Sequence, residues 1–319
     1  MQIEYVGKSL TVCAPAKVNL FLEVLGKLPG GYHAIDTLMC PIDLHDRLTI
    51  SSRSDNKIDF RILLPASVSP SDVAWHIPVD SQNLVVRAIE RVRNITNRDD
   101  GCNIVLEKNI PAAAGLGGGS SDAAAAIVAS MAIWGKWDRL LAKKIASELG
   151  SDISFFFGDE VHGVGLARGT GRGEIIQMLD ARPELHFAIA HPIEGCSTAR
   201  VYSLAQITRD PRCMRKLLAA CGSADFGGIG RELFNALEEP ASQVSGWISK
   251  QLEYFKRVGA QYVCMTGSGS ACFALAGSPI QAEELAGKML EFGLPRAYDA
   301  KTWYARSIES QLSAILGLC

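Results

Sequence analysis

The sequence predicts an α+β protein of two domains, and three observations carry this. Its 319 residues exceed one ordinary hydrophobic core. Apolar residues recur with a period of two near the start, and a strong helix pattern follows a glycine-rich stretch near residue 117. Beyond residue 180 the alternation of strand and helix signals begins again, with no low-complexity linker, so the division reads as an interface between packed domains, 1–180 and 181–319.

Over residues 10–25, Val12, Val18, Leu20, Leu22 and Val24 alternate with other residues, which predicts strands, and Pro29-Gly30-Gly31 predicts a turn. Residues 48–52 and 57–64 read as further strands. Helical spacing of Leu84, Val85, Ala88, Ile89 and Val92 predicts a helix over 81–97 with Ser81 as N-cap. A strand is expected at 102–106, then an alanine-rich helix running to Trp134, then a helix over 140–149 closed by Gly150 at the C′ position. The second half reads as a strand at 186–190, helices near 231–237 and 241–258, and a strand–loop–strand over 262–275.

Composition excludes several function classes. An apolar fraction of 48% places the chain among globular proteins. A net charge of −2 without a Lys/Arg run lacks the basic stripe that nucleic acid requires. The longest apolar stretch, 123–134, is short of the ~20 residues that cross a bilayer, so no membrane partner is expected. Nine cysteines, Cys13, Cys40, Cys102, Cys196, Cys213, Cys221, Cys264, Cys272 and Cys319, are scattered without a Cys-x-x-Cys pair, which fits reduced thiols in a cytoplasmic protein. The opening residues carry no basic region followed by an apolar core, so neither a secretory signal nor a transit peptide is expected.

The most informative segment is the run Pro111-Ala112-Ala113-Ala114-Gly115-Leu116-Gly117-Gly118-Gly119-Ser120-Ser121 before the alanine-rich helix. A helix start concentrates free N–H donors and the positive end of the macrodipole, and glycine lets the backbone approach a polyphosphate, so ATP is the expected occupant. The run is neither a Walker A loop nor a dinucleotide fingerprint, since it lacks Gly-Lys-[Ser/Thr] and has Ser120 where the third glycine would stand. A plain turn capped by Ser120 or Ser121 is the alternative.

This run resembles the second motif of the GHMP small-molecule kinases. Two further stretches resemble that family's first and third motifs, in the same order: 14–38, containing Pro15-Ala16-Lys17-Val18-Asn19-Leu20-Phe21-Leu22 and Gly31-Tyr32-His33, and 264–275, containing Gly267-Ser268-Gly269-Ser270. Gly31-Tyr32-His33 is similar to the branch of the superfamily that phosphorylates the 2-hydroxyl of a cytidine diphosphate-linked methylerythritol in non-mevalonate isoprenoid synthesis. The likeness extends to Gly150-Ser151-Asp152-Ile153-Ser154-Phe155-Phe156, 169–174, Ala190-His191-Pro192 and Asn235-Ala236-Leu237-Glu238. The chain departs from the branch at Ile193, where relatives often have a small residue, and at Ala236, where they read Asp.

The resemblance implies a two-domain GHMP kinase fold: a ribosomal protein S5 domain 2-like N-terminal domain that binds ATP and carries the chemistry, and a ferredoxin-like C-terminal domain that contributes to the substrate cleft. It implies Asp152 as general base and Lys17 as its partner. Substrate contacts are implied for Asn19, Tyr32, His33, Thr198, Tyr202, Gly267 and Ser268, with Tyr32 stacking on the cytosine, His33 reading its edge and Tyr202 closing over it. Taken alone, Asp152 reads as a cap for 153–157, Lys17 as an exposed strand lysine, and 267–270 as a hairpin turn. Magnesium is expected with ATP, with Ser121 and Asp122 as candidate ligands. By family analogy the adenine pocket falls between residues ~55 and 110. The competing readings are another GHMP kinase, such as a homoserine or sugar kinase, and a catalytically inactive ligand sensor of the same fold.

Overall fold

The alternating residues that follow Ser9 form part of one long hairpin. Gln2–Val6 (β1) pairs antiparallel with Ser9–Lys27 (β2), which turns through Pro29–Gly31 into His33–Ser52 (β3). The structure, a computed structural model, describes residues 1–66, 68, 72 and 75–316; Cys319 and part of the expected adenine pocket lie outside them.

Strand β2 is buried from Leu10 to Val24 on both faces, because it serves three cores in turn. Leu10, Val12 and Ala14 enter the first, Ala16, Val18 and Leu20 the second, and Leu22 and Val24 the third. Register shifts at Pro15/Ala16 and Asn19/Phe21 re-aim the strand between cores, as bulges do. The segment between the two shifts carries Lys17 and Asn19.

Ile58–Leu63 (β4), the helix Leu84–Thr96 (α1) and Cys102–Glu107 (β5) make a parallel crossover unit that extends the sheet through β3. The α1 cap is Asn83 and not Ser81: Asn83 accepts from the Val85 N–H, whereas Ser81 stays in the preceding turn. The alanine-rich helix is Gly118–Ile133 (α2). It is apolar all round and correspondingly buried, packing on α1 and β2. Arg139–Leu149 (α3), capped by Asp138, ends at Gly150 in an extended conformation instead of the left-handed C′ geometry. A 3-10 turn, Ile153–Phe157, then leads to the hairpin Ala167–Thr170 (β6) and Ile175–Met178 (β7), which joins β3 through β6.

His186–His191 (β8) opens the second sheet. Thr198–Leu204 (α4), Arg215–Gly222 (α5) and Phe226–Arg231 (α6) follow. The helix expected over 231–237 is absent. Phe234–Asn235 (β9) instead adds a short parallel strand to β2, and 241–258 divides at Ser245–Gly246 into Glu238–Val244 (α7) and Trp247–Arg257 (α8). Tyr262–Met265 (β10), Cys272–Ala276 (β11), Pro279–Glu291 (α9) and Arg296–Lys301 (β12) complete a four-stranded antiparallel sheet. Its order β12-β8-β11-β10 is that of a ferredoxin-like unit, with the first and third of its strands in the middle. One face packs on the first sheet through Phe187, Ile189 and Phe273, and the other is covered by α4, α7, α8 and α9. The helix Ile308–Leu316 (α10) then returns to the first core, where Ile308 and Leu312 are buried and Gln311 bonds the backbone of Ile3 and Met1. The result is an α+β fold of two packed sheets, as the sequence predicts.

His191 ends β8 with both ring nitrogens engaged. Arg296 Nη1 donates to Nδ1 at 2.8 Å, so the proton sits on Nε2, 3.2 Å from Ser270 Oγ. Burial pushes its pKa from 6.5 down to about 4. The unfolded chain therefore takes up a proton below pH ~6.5 that the folded chain refuses until about 4. Stability is full above that window and falls as pH drops through it, by on the order of 3 kcal/mol. Thermal unfolding between about pH 7 and 4.5 will show a shallower loss for His191→Gln than for the parent; equal slopes would refute the assignment.

Candidate active site

The glycine-rich run leaves β5 and enters α2 with three left-handed residues, Ala113, Gly115 and Gly117, at φ of 54°, 77° and 72°. Close approach explains two of the glycines. A Cβ on Gly115 would stand 2.3 Å from the Thr266 carbonyl oxygen, and one on Gly117 would stand 3.0 Å from Lys17 Cγ and 3.2 Å from the Phe156 ring. Gly117 precedes the first turn of α2 without a side-chain cap, so Ser120 and Ser121 are not caps but lie within the helix. The first N–H groups of α2 thus open at the loop.

The loop borders a cleft of about 720 Å³. Ala113, Gly115, Gly117 and Ser120 line it, while Ala114, Leu116 and Ser121 are buried; Pro111, Ala112, Gly118 and Gly119 are not among its lining residues. Asp122 is not free to bind magnesium in that cleft, for it is buried under the loop. There Lys108 Nζ bonds Asp122 Oδ2 at 2.7 Å and also bonds Asp46. Asp46 Oδ1 in turn accepts from the N–H groups of Asn109 and Ile110, which lead into Pro111. Burial pushes the Asp122 pKa well up, with Lys108 opposing.

Lys17 is brought to the cleft by the bulged segment of β2. Its ammonium donates to Asn19 Oδ1 at 2.6 Å and lies 3.7 Å from Asp152 Oδ2, an ion pair longer than a hydrogen bond. Burial pushes the Lys17 pKa down and the Asp152 charge opposes that shift. Lys17 is therefore not an exposed strand lysine, being 3% exposed. Asp152 makes no cap bond to the 153–157 turn, so its carboxylate is left for the cleft.

Asn19 lines the cleft, yet its amide is committed to protein. Besides Lys17 it accepts from Gly267 N at 2.9 Å and donates to Thr37 Oγ1 at 2.8 Å. The 267–270 segment is not a tight hairpin turn, since Met265 pairs with Cys272 across a six-residue loop. That loop leans on the glycine run, with Ala271 N bonded to Ala114 O, and Ser268 Oγ lies 2.8 Å from Thr198 Oγ1. Asn235 Nδ2 clamps the loop by donating to the carbonyls of Met265 and Gly267, each at 2.8 Å. The sequence assigns no role to Asn235 or Thr37, whose partners lie far away in the chain and leave no local pattern.

At the other end of the cleft, His33 and Tyr202 rings lie 5.3 Å apart, tilted by 33°. Burial, with Lys27 adding, holds the His33 pKa below the usual range; burial and the Asp152 charge push the Tyr202 phenol up. Tyr32 is 54% exposed and faces Arg172, whose guanidinium carbon is 4.8 Å from the ring centroid. The structure thus gathers Lys17, Asn19, Tyr32, His33, Asp152, Thr198, Tyr202, Gly267 and Ser268 in one cleft. Neither Ile193 nor Ala236 lines it.

Known proteins resemble the chain over most of its length. The GHMP kinases N terminal domain matches residues 83–159, and the GHMP kinases C terminal domain matches 214–293. The chain is 38% identical over 291 residues to a 4-diphosphocytidyl-2-C-methyl-D-erythritol kinase of Rhodopirellula baltica, covering 84% of this chain and 87% of that one. A Bacillus cereus protein of the same name is 36% identical over 271 residues, covering 83% and 88%. A crystal structure of 4-(cytidine 5'-diphospho)-2C-methyl-D-erythritol kinase superposes with a TM-score of 0.74 at 30% identity, over 92% of this chain and 100% of that one. Homoserine kinase from Cytophaga hutchinsonii, at 18% identity and a TM-score of 0.68 over 96% and 98%, shares the fold.

Proposed function

The chain belongs to the GHMP kinases, in the family of the 4-diphosphocytidyl-2-C-methyl-D-erythritol kinases, and we propose that it moves the γ-phosphoryl group of ATP to the 2-hydroxyl of that cytidyl substrate, with Asp152 as general base and Lys17 as its partner. The observation that carries this reading is the Lys17–Asp152 pair, 3.7 Å apart, in the cleft that the glycine loop borders.

The substrate oxygen attacks the γ-phosphorus as the bond to the β–γ bridging oxygen breaks and ADP leaves. The hydroxyl proton passes to Asp152, and the Lys17 ammonium favours both the ionised carboxylate and the developing alkoxide. Asn19 holds Lys17 in place and ties it to the Gly267 loop, so we assign it a positioning role. The N–H groups at the start of α2 receive the phosphates. His33, held neutral, has an Nε2 without a partner among the described residues, which suits hydrogen bonding to a cytosine edge; Tyr32 and Tyr202 supply ring faces.

Among the described residues no group of three or more His, Cys, Asp or Glu could hold a metal. A magnesium ion entering with the nucleotide would find the cleft-facing Ser120 as the loop hydroxyl available to it. When bound, it would supply positive charge to offset that of the nucleotide.

A coupled ADP-release assay with MgATP tests the reading, run on 4-diphosphocytidyl-2-C-methyl-D-erythritol beside homoserine and mevalonate. Turnover on the cytidyl compound alone is expected. Turnover on another alcohol would reassign the substrate, and tight binding without turnover on any would leave a sensor.

A further inference from the structure

The cytidyl substrate carries a diphosphate between its base and its reacting hydroxyl, and we propose that Arg172 is the specificity residue that binds it. This rests on the substrate class proposed above.

Arg172 sits at the tip of the β6–β7 hairpin, between Gly171 and Gly173, whose φ angles are 71° and 107°. The tip is pinned to the start of β3 by Ile35 N donating to Gly171 O at 2.8 Å. On one side its guanidinium lies over Tyr32, and on the other a Cβ on Gly173 would stand 3.7 Å from Asp152 Oδ1. Arg172 therefore stands between the aromatic end of the cleft and the carboxylate that takes the proton. A diphosphate joining those two ends has to pass it.

Charge narrows the choice further. Among the described lysines and arginines only Lys17 and Arg172 line the cleft. Lys17 is buried and engaged with Asn19 and Asp152, and the glycine loop serves the nucleotide. Arg172 is held loosely: Nε is 3.4 Å from Glu174 Oε1, and neither terminal nitrogen makes a hydrogen bond to a described residue. Glu174 spends its shorter contact, 2.6 Å, on the Arg172 backbone N–H. A planar fork with both ends free is the donor set that grips phosphate oxygens in pairs, and the ring beneath it steadies the plane.

The test uses cytidine and CDP as ligands, with the glycine loop filled by a saturating non-hydrolysable ATP analogue so that CDP cannot bind there. In the parent protein CDP is expected to bind tighter than cytidine. In Arg172→Gln, CDP affinity should fall roughly 10- to 100-fold, cytidine affinity should hold within about twofold, and Arg172→Lys should lie between. The KM for the cytidyl substrate should rise in parallel while that for ATP does not. An unchanged CDP-to-cytidine ratio in Arg172→Gln overturns the role of Arg172 alone. Failure of the parent to bind either ligand overturns the substrate reading and this proposal with it.

Discussion

Asp152→Asn will lower kcat by about 10²- to 10⁴-fold, the usual worth of a positioned general base. Asparagine keeps the shape of the side chain but cannot take the hydroxyl proton. Because Asp152 makes no cap bond to the turn that follows it, the substitution removes no helix-start hydrogen bond, and the loss will not trace to local unfolding. Lys17→Met will also depress kcat, since it removes the cation that steadies the carboxylate and the alkoxide. In the proposed mechanism the two residues act as a unit, so the double variant should be little worse than the poorer single one. Single-turnover measurements of phosphoryl transfer separate chemistry from product release. A kcat within about threefold of the parent for Asp152→Asn would remove it as the base.

Lys108→Met will destabilise the protein by about 3–5 kcal/mol, the typical cost of leaving a buried charge without its partner. Lys108, Asp46 and Asp122 are 3%, 0% and 3% exposed, so solvent cannot replace the ammonium. The damage should reach the site as a raised KM for ATP, because Asp46 also holds the two N–H groups that lead into the glycine run. Replacing all three groups by neutral ones, as Asp46→Asn with Lys108→Met and Asp122→Asn, should recover much of the loss, since neutral groups bear burial far better. Urea unfolding of the three proteins measures this. A loss below about 1 kcal/mol for Lys108→Met would mean that the carboxylates do not depend on Lys108 for their charge balance.

The same cluster explains what the sequence concealed. Residues 33–47 form most of β3, but Asp36, Pro41, Asp43 and Asp46 interrupt any apolar alternation. Two of those acids are tolerated in the sheet because of distant partners: Arg168 grips Asp36 with bonds of 2.7 and 2.9 Å, and Lys108 takes Asp46. Such compensation comes from 62 or 132 positions away and leaves no periodic trace. Phe234–Asn235 reads as helix in the sequence for the same reason, since its pairing partner is β2 at Phe21 and Leu22. The glycine run and α2, by contrast, were legible because a helix start and its free N–H groups are local properties. The roles proposed for Lys17 and Asp152 rest on motif likeness; the fold adds that the Lys17 ammonium lies 3.7 Å from the Asp152 carboxylate. Arg172 lies within the 169–174 likeness but carries no role in the sequence, since an arginine between two glycines gains one only when a hairpin aims it.

The return of α10 to the first core has a consequence for how the chain is made. Residues up to Met178 emerge from the ribosome about 130 positions before Ile308, a gap on the order of ten seconds at ordinary elongation rates. For that interval the nascent sheet lacks Ile308 and Leu312, and the backbone of Met1 and Ile3 waits for Gln311. The apolar seam that Ile308 and Leu312 cover, and the β1 backbone that Gln311 holds, are closed only once the chain beyond residue 307 has been made.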